Sequence, residues 1–276
     1  MHTWGRFVYG GNNKFYPSAT MQNIMDIYNF DHALRHLLLE YIERIEVKMK
    51  SIYAYEIAKA YGPLSYQNPN LFSNTTKHSE ILAKAEQQRL SRLPHEAYLK
   101  HFDDCGECVP IWAYVDLLTI ADISFLYAIS IPSLKKSIAD AFGFHPTKGS
   151  DLLRIIVMHS MTIIRNLCAH GSRLYNRIFQ QKPRLSKAEL SLLRKNANGT
   201  LDNAHLYGFL FIMKRMLSAS DFNEFKKNSL HCQTAFLSST CGTMVFGATG
   251  GNAYKGSVAL DFYAWITHKI SKKIKF

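Results

Sequence analysis

An all-α fold, a helical bundle, is predicted by three observations. Apolar residues recur at three- and four-residue steps over long stretches, glycine and proline fall where those stretches stop, and runs that alternate as strands do are hard to find. From Phe30 to about Tyr61 the residues Phe30, Leu34, Leu37, Leu38, Tyr41, Ile45, Met49, Ile52 and Tyr53 trace one face of a long helix. Asp31 stands near its expected start, and Glu40 with Arg44 and Glu46 with Lys50 form correctly oriented i,i+4 pairs. Gly62-Pro63 stops it. A polar helical stretch from Thr76 to His101 follows, interrupted by Pro94, and then an apolar and aromatic run from Ile111 to Ile129. Beyond Pro132 the helical pattern resumes from Leu134 to Phe142.

Asp151 to Arg177 reads as a second long helix, with Ser150 or Asp151 as its cap. Leu185 to Asn196 is a basic helix or loop, His205 to Ser218 an apolar helix, and Asp221 to Leu230 a short polar one. The glycine-rich segment from Ser238 to Ser257 lacks the lysine of a phosphate loop and reads as a surface loop. The expected organisation is an N-terminal helical region, residues 1–100, and a second helical region, residues 101–276.

With 276 residues, 47% of them hydrophobic, the chain can bury a substantial core without staples. Its longest apolar runs, such as His205 to Met213, fall short of the roughly 20 residues of a membrane span, which argues against a membrane partner. Five cysteines, an odd number, and a start without a signal-like apolar segment point to a reducing cytoplasm. The formal charge of +12 favours an acidic partner. That charge is unevenly placed. Arg173, Arg177, Lys182, Arg184, Lys187, Arg194 and Lys195 face one acid, Glu189, between residues 173 and 195, so about half the net charge lies there.

This basic run follows the densest polar cluster in the chain, Arg165-Asn166-Leu167-Cys168-Ala169-His170. On one continuous helix Asn166, His170, Arg173 and Arg177 lie within about 40° of one line, while Arg165 lies about 140° from His170. Either the arginine wraps round or Gly171 loosens the last turns if both are to touch one ligand. One imidazole, one thiol and no carboxylate do not make a metal site. The set suits phosphoryl chemistry on RNA. His170 serves as general base toward a 2′-hydroxyl or general acid toward the leaving 5′-oxygen, and Arg165 stabilises the developing charge. Asn166 orients the imidazole or the phosphate, and Arg173, Asn176, Arg177, Lys182, Arg184 and Lys187 follow the backbone. A helix end solvated by its own arginines and histidine is the competing reading, and the residues alone leave it open.

The stretch RNLCAHGSRLYNR resembles the signature of the Abi-like abortive-infection family, whose second half is a HEPN domain defined by an arginine, a polar residue, a short spacer and a histidine. Phe15-Tyr16-Pro17, Tyr28-Asn29-Phe30-Asp31 with Leu34-Arg35, Ile42-Glu43 and Ile45-Glu46 resemble the family's aromatic-proline, FD-x-x-LR and IE-x-IE patterns. Tyr61-Gly62-Pro63, Val109-Pro110-Ile111-Trp112 and Asp116 also fall where similar motifs lie. The resemblance covers about Phe15 to Arg177. It implies an all-α fold with a HEPN-like second region and a toxin-like endoribonuclease of phage defence that needs no cofactor. Arg165, Asn166 and His170 are then the catalytic residues. It also implies a homodimer whose two motifs face one another, with RNA as substrate and an antitoxin or a small RNA as candidate restraint. Gly171 stands where the family often has a second histidine, and by the same pattern several tens of residues are expected ahead of Met1. A non-catalytic RNA-binding module of the same fold is the alternative, and a helical protein-interaction factor a third reading.

Three other features carry less chemistry. Cys105-Gly106-Glu107-Cys108 has the spacing of half a zinc site without the second half, although His95, Glu96, His101, Asp103 and Asp104 surround it. Some of the 15 tyrosines and 17 phenylalanines offer faces for unpaired bases, though most at helical spacing, such as Tyr41 and Tyr53, belong to the core. Lys269, Lys272, Lys273 and Lys275 read as a solvated tail.

Overall fold

A computed structural model of the chain describes residues 8–9, 14–15, 20–143, 159–175, 177–183, 185, 187–193 and 203–237. The fold is all-α apart from a small antiparallel hairpin of β1 (Val8–Tyr9) and β2 (Lys14–Phe15), with Val8 opposite Phe15. Helix α1 runs from Met21 to Tyr61. It begins nine residues before Phe30 because Thr20 and Asn23 cap each other. The Thr20 N–H donates to Asn23 Oδ1 at 2.8 Å, and the Asn23 N–H donates to Thr20 Oγ1 at 3.2 Å. Asp31 therefore lies well inside the helix rather than near its start. The chain leaves α1 at Gly62, with φ of 96°.

Two compact units are present, one of residues 1–42 and 163–276, the other of residues 43–162. Helix α1 contributes its first half to one unit and its second half to the other.

In the unit of residues 43–162, α1 buries Ile45, Met49, Tyr53, Ala54 and Ile57. Helix α2 (Thr75–Arg92) starts at Asn74, whose Oδ1 accepts from the Lys77 N–H at 2.9 Å. Pro94 separates it from α3 (Ala97–Asp104), and α4 (Ile111–Tyr114) is a single turn. Helix α5 (Ile120–Ile129) opens on a capping box between Thr119 and Asp122, and α6 (Pro132–Ala141) on a proline whose missing N–H costs nothing at a first turn. Burial alone would raise the Asp122 carboxyl, but the Lys84 ammonium at 2.8 Å and the Thr119 donors hold it below the usual carboxylate range. Two of the motif blocks meet here. The Ile111 N–H donates to the Pro63 carbonyl at 2.9 Å, and the Tyr66 hydroxyl donates to the Val109 carbonyl at 2.8 Å.

Helix α7 spans His159–Ala169, so its last seven residues belong to the other unit, with α8 (Lys187–Leu190), α9 (Leu206–Met216) and α10 (Ala219–Leu237). Helix α9 is the centre of that unit. Its first eight residues, Leu206 through Met213, carry no charge and are all buried, as a stretch surrounded by protein requires, and Lys214 and Arg215 follow in its last turn. From α1 this unit takes Ile27, Phe30, Leu34, Leu37, Leu38 and Tyr41. Helix α10 runs beyond the expected Asp221 to Leu230 at both ends, and Phe222 and Phe225 give it a buried edge. The Phe225 ring meets Tyr41 edge-on at 5.2 Å, and the Asn228 amide donates to the Tyr41 hydroxyl at 3.1 Å.

The expected helix from Asp151 to Arg177 ends at Ala169, and its first residues, 151–158, lie outside the described ones, as do Ser150 and its capping role. Of the stretch Leu185 to Asn196 only Lys187–Leu190 is helical among the described residues. The segment 238–257, Tyr16, Pro17 and the terminal lysines also lie outside them. Among the described residues no helix is long and apolar enough to cross a membrane.

Candidate functional site

The motif sits at the C-terminal end of α7, and the way that helix ends shapes the site. The His170 N–H still bonds to the Asn166 carbonyl at 3.0 Å, continuing the helical pattern. Then the Gly171 N–H turns back to Cys168 O at 3.2 Å and the Ser172 N–H to Leu167 O at 2.9 Å, the paired bonds of a Schellman stop. Gly171 takes φ of 65°, a left-handed conformation that favours glycine. A helix stopped here cannot carry its stripe further. The expected alignment holds for Asn166 and His170 and fails for Arg173 and Arg177, which lie in the loop beyond.

Arg165, Asn166 and His170 are all exposed on the last turn and a half. The Arg165 Nη1 lies 3.4 Å from Asn166 Oδ1, so these neighbouring polar groups lean together. Among the described residues no hydrogen bond engages the His170 ring, which leaves it open to a ligand. The buried side of the same turn carries Cys168, whose thiol burial pushes up to about 12, with the Arg35 charge opposing and the Asp31 charge reinforcing the shift. That thiol stays protonated and unreactive at neutral pH.

The loop after the stop is tied to α1. Asp31 Oδ1 accepts the Leu174 N–H at 2.9 Å and the Tyr175 N–H at 2.5 Å, and its other oxygen pairs with the Arg35 guanidinium. Both side chains are almost fully buried. The Phe30 ring packs edge-on against Tyr175 at 6.1 Å. This connection was missed from sequence, although the signal was there: an acid and an arginine at i,i+4 beside the apolar face traced by Phe30, Leu34 and Leu38 form a pair that can be buried together.

Of the predicted backbone-tracking residues, Arg173 and Arg177 are half-buried, and the Arg177 Nη1 donates to the Arg173 carbonyl at 3.3 Å. Lys182 and Lys187 are exposed; Asn176 and Arg184 lie outside the described residues. Glu189, the acid within this basic run, is buried and held by Arg215, whose Nε lies 2.9 Å from its Oε1. Its charge is thus cancelled by a residue from outside the run. Pro183 is seated on Gly208 of α9, where a Cβ would stand 2.9 Å from the proline ring.

Cys105 and Cys108 are both exposed, and Cys105 Sγ lies 4.0 Å from His101 Nδ1. Among the described residues no three side chains are grouped to hold a metal ion.

An all-α chain in which an FD-x-x-LR helix clamps the loop following an R-N-x3-H turn is the class of protein these features define. The sequence pattern of the family described as Abi-like protein matches residues 3–176, and the chain belongs to that family. The chain matches no curated protein and no solved structure.

Proposed function

We infer that the chain is a cytoplasmic abortive-infection protein that cuts RNA as a metal-independent endoribonuclease of the HEPN type. The observation that carries this reading is the joint exposure of Arg165, Asn166 and His170 at one helix end, followed at once by a basic loop anchored to α1. The family itself supports the defence role.

The chemistry follows from these groups. An imidazole takes the proton of a ribose 2′-hydroxyl, the 2′-oxygen bonds to phosphorus, and the bond from phosphorus to the 5′-oxygen breaks as that oxygen gains a proton. The products are a 2′,3′-cyclic phosphate and a 5′-hydroxyl. The Arg165 guanidinium neutralises the charge that builds on the phosphoryl oxygens, and Asn166 positions the phosphate or the ring. One motif supplies one imidazole where base and acid are both needed, so two copies facing one another complete the site. Arg173, Arg177, Lys182 and Lys187, with Asn176 and Arg184, hold the flanking backbone.

The test is incubation of purified protein with mixed cellular RNA in a chelating buffer. Cleavage lost in both Arg165→Ala and His170→Ala supports the reading. Intact RNA with wild type, together with salt-sensitive binding, would instead favour the non-catalytic RNA-binding module.

A further inference from the structure

We propose that the exposed face of α1 beside the anchored loop is a stacking platform for unpaired RNA bases, made by Tyr28, His32 and His36. The proposal rests on RNA being the ligand and adds which RNA: single strands.

The three rings sit at i, i+4 and i+8 on α1. They climb in steps of about 6 Å and stay within about 80° of one line on the helix surface. All three are exposed, Tyr28 by 54%, whereas Phe30, Tyr41 and Tyr53 of the same helix are buried and its other exposed rings, Tyr55 and Tyr61, lie toward its far end. The His32 and His36 rings lie against each other, with centroids 4.3 Å apart and planes tilted by 38°. Two neighbouring flat rings open to solvent each present a face of the kind a nucleobase covers, whatever its identity.

Placement supplies the second half of the argument. His32 follows Asp31, and Arg173 precedes Leu174, so the 2.9 Å bond from the Leu174 N–H to Asp31 brings the ring-bearing turn of α1 beside the loop that begins the basic run. Aromatic faces next to backbone-holding cations are how single-stranded nucleic acid is gripped without sequence preference. A duplex keeps its bases stacked on one another and offers only its ends to such rings. Glu40, one turn beyond His36, and Glu43 bound the platform with negative charge.

The test measures binding by fluorescence anisotropy, using full-length His170→Ala protein so that no cleavage intervenes. The probes are labelled single-stranded oligo(U) and oligo(A) and an RNA duplex of equal length. Single strands are expected to bind more tightly than the duplex. Tyr28→Ala, and His32→Ala with His36→Ala, should each weaken single-strand binding by roughly tenfold and leave duplex binding unchanged. Tyr28→Phe, which keeps the ring, should bind like the parent, and an unaltered melting curve for each variant shows that the exposed substitutions spare the fold. Equal affinity for single strand and duplex, or full affinity in the ring-deleted variants, would overturn the platform while leaving the nuclease reading intact. Absence of binding to any probe would overturn both. Ring-dependent binding by a wild-type protein that cuts nothing would leave the platform standing and remove the nuclease.

Discussion

Asp31, deep within α1, accepts the backbone N–H of Leu174 at 2.9 Å, so a residue 143 positions earlier in the chain fixes the loop that follows the motif. Its carboxylate also takes the Tyr175 N–H and the Arg35 guanidinium, leaving little of it unsatisfied.

Removing that carboxylate strands a buried arginine and two buried N–H groups. Asp31→Ala is expected to cost about 3–5 kcal/mol in urea denaturation, and Asp31→Asn less, because an amide oxygen still accepts the two N–H bonds. The double variant Asp31→Leu with Arg35→Met separates the roles. If the pair were only an ion pair, an apolar replacement would restore stability; the loop anchor predicts a remaining loss of about 2 kcal/mol or more from the orphaned donors.

Gly171→Ala places a Cβ where nothing lies within 4 Å, so any cost comes from the backbone conformation alone. A loss of about 1 kcal/mol is expected, with Gly171→Asn milder because asparagine tolerates the left-handed region. A neutral Gly171→Ala would show that the helix does not need this stop.

The long helices were legible because their packing is local in period. Leu34, Leu38, Tyr41, Ile45 and Met49 repeat at helical spacing, and the same residues form the core. What sequence could not show was where a helix stops when its pattern continues. Asn166, His170, Arg173 and Arg177 keep perfect helical spacing across Gly171, and only the Schellman bonds reveal that two of them have left the helix. The partner of the motif was hidden for a different reason. Asp31 acts through the backbone of Leu174 and Tyr175, and a backbone N–H carries no side-chain signature. In the resemblance the two patterns stood side by side, and their contact became visible only in three dimensions.

Gly208→Ala should destabilise by about 1–3 kcal/mol, since its Cβ would meet the Pro183 ring at 2.9 Å and Asn203 O at 3.2 Å. A Pro183→Ala background should relieve most of that cost. Additive losses in the double variant would show that the basic segment is not seated on α9 as described.

Alkaline pH should weaken the fold. Burial pushes the Cys168 thiol up to about 12 from 9.0 and raises the Tyr53 and Tyr114 hydroxyls above the tyrosine range. Below about pH 9 the stability contributed by these neutral groups is fully present; above it the unfolded chain gives up protons that the folded chain keeps. Denaturation midpoints should therefore fall steadily from pH 9 upward, and Cys168→Ala should flatten the first part of that fall. Alkylation at pH 8 should label exposed Cys105 and Cys108 in the native protein and Cys168 only after unfolding.

The most direct measurement is the mapping of new 5′-hydroxyl RNA ends in phage-infected cells that express wild-type, Arg165→Ala or His170→Ala protein at equal levels. New 5′-hydroxyl ends that appear with wild type and vanish in both variants are the predicted result. An identical set of ends in all three, or none in any, would contradict RNA cleavage by the Arg165–His170 pair.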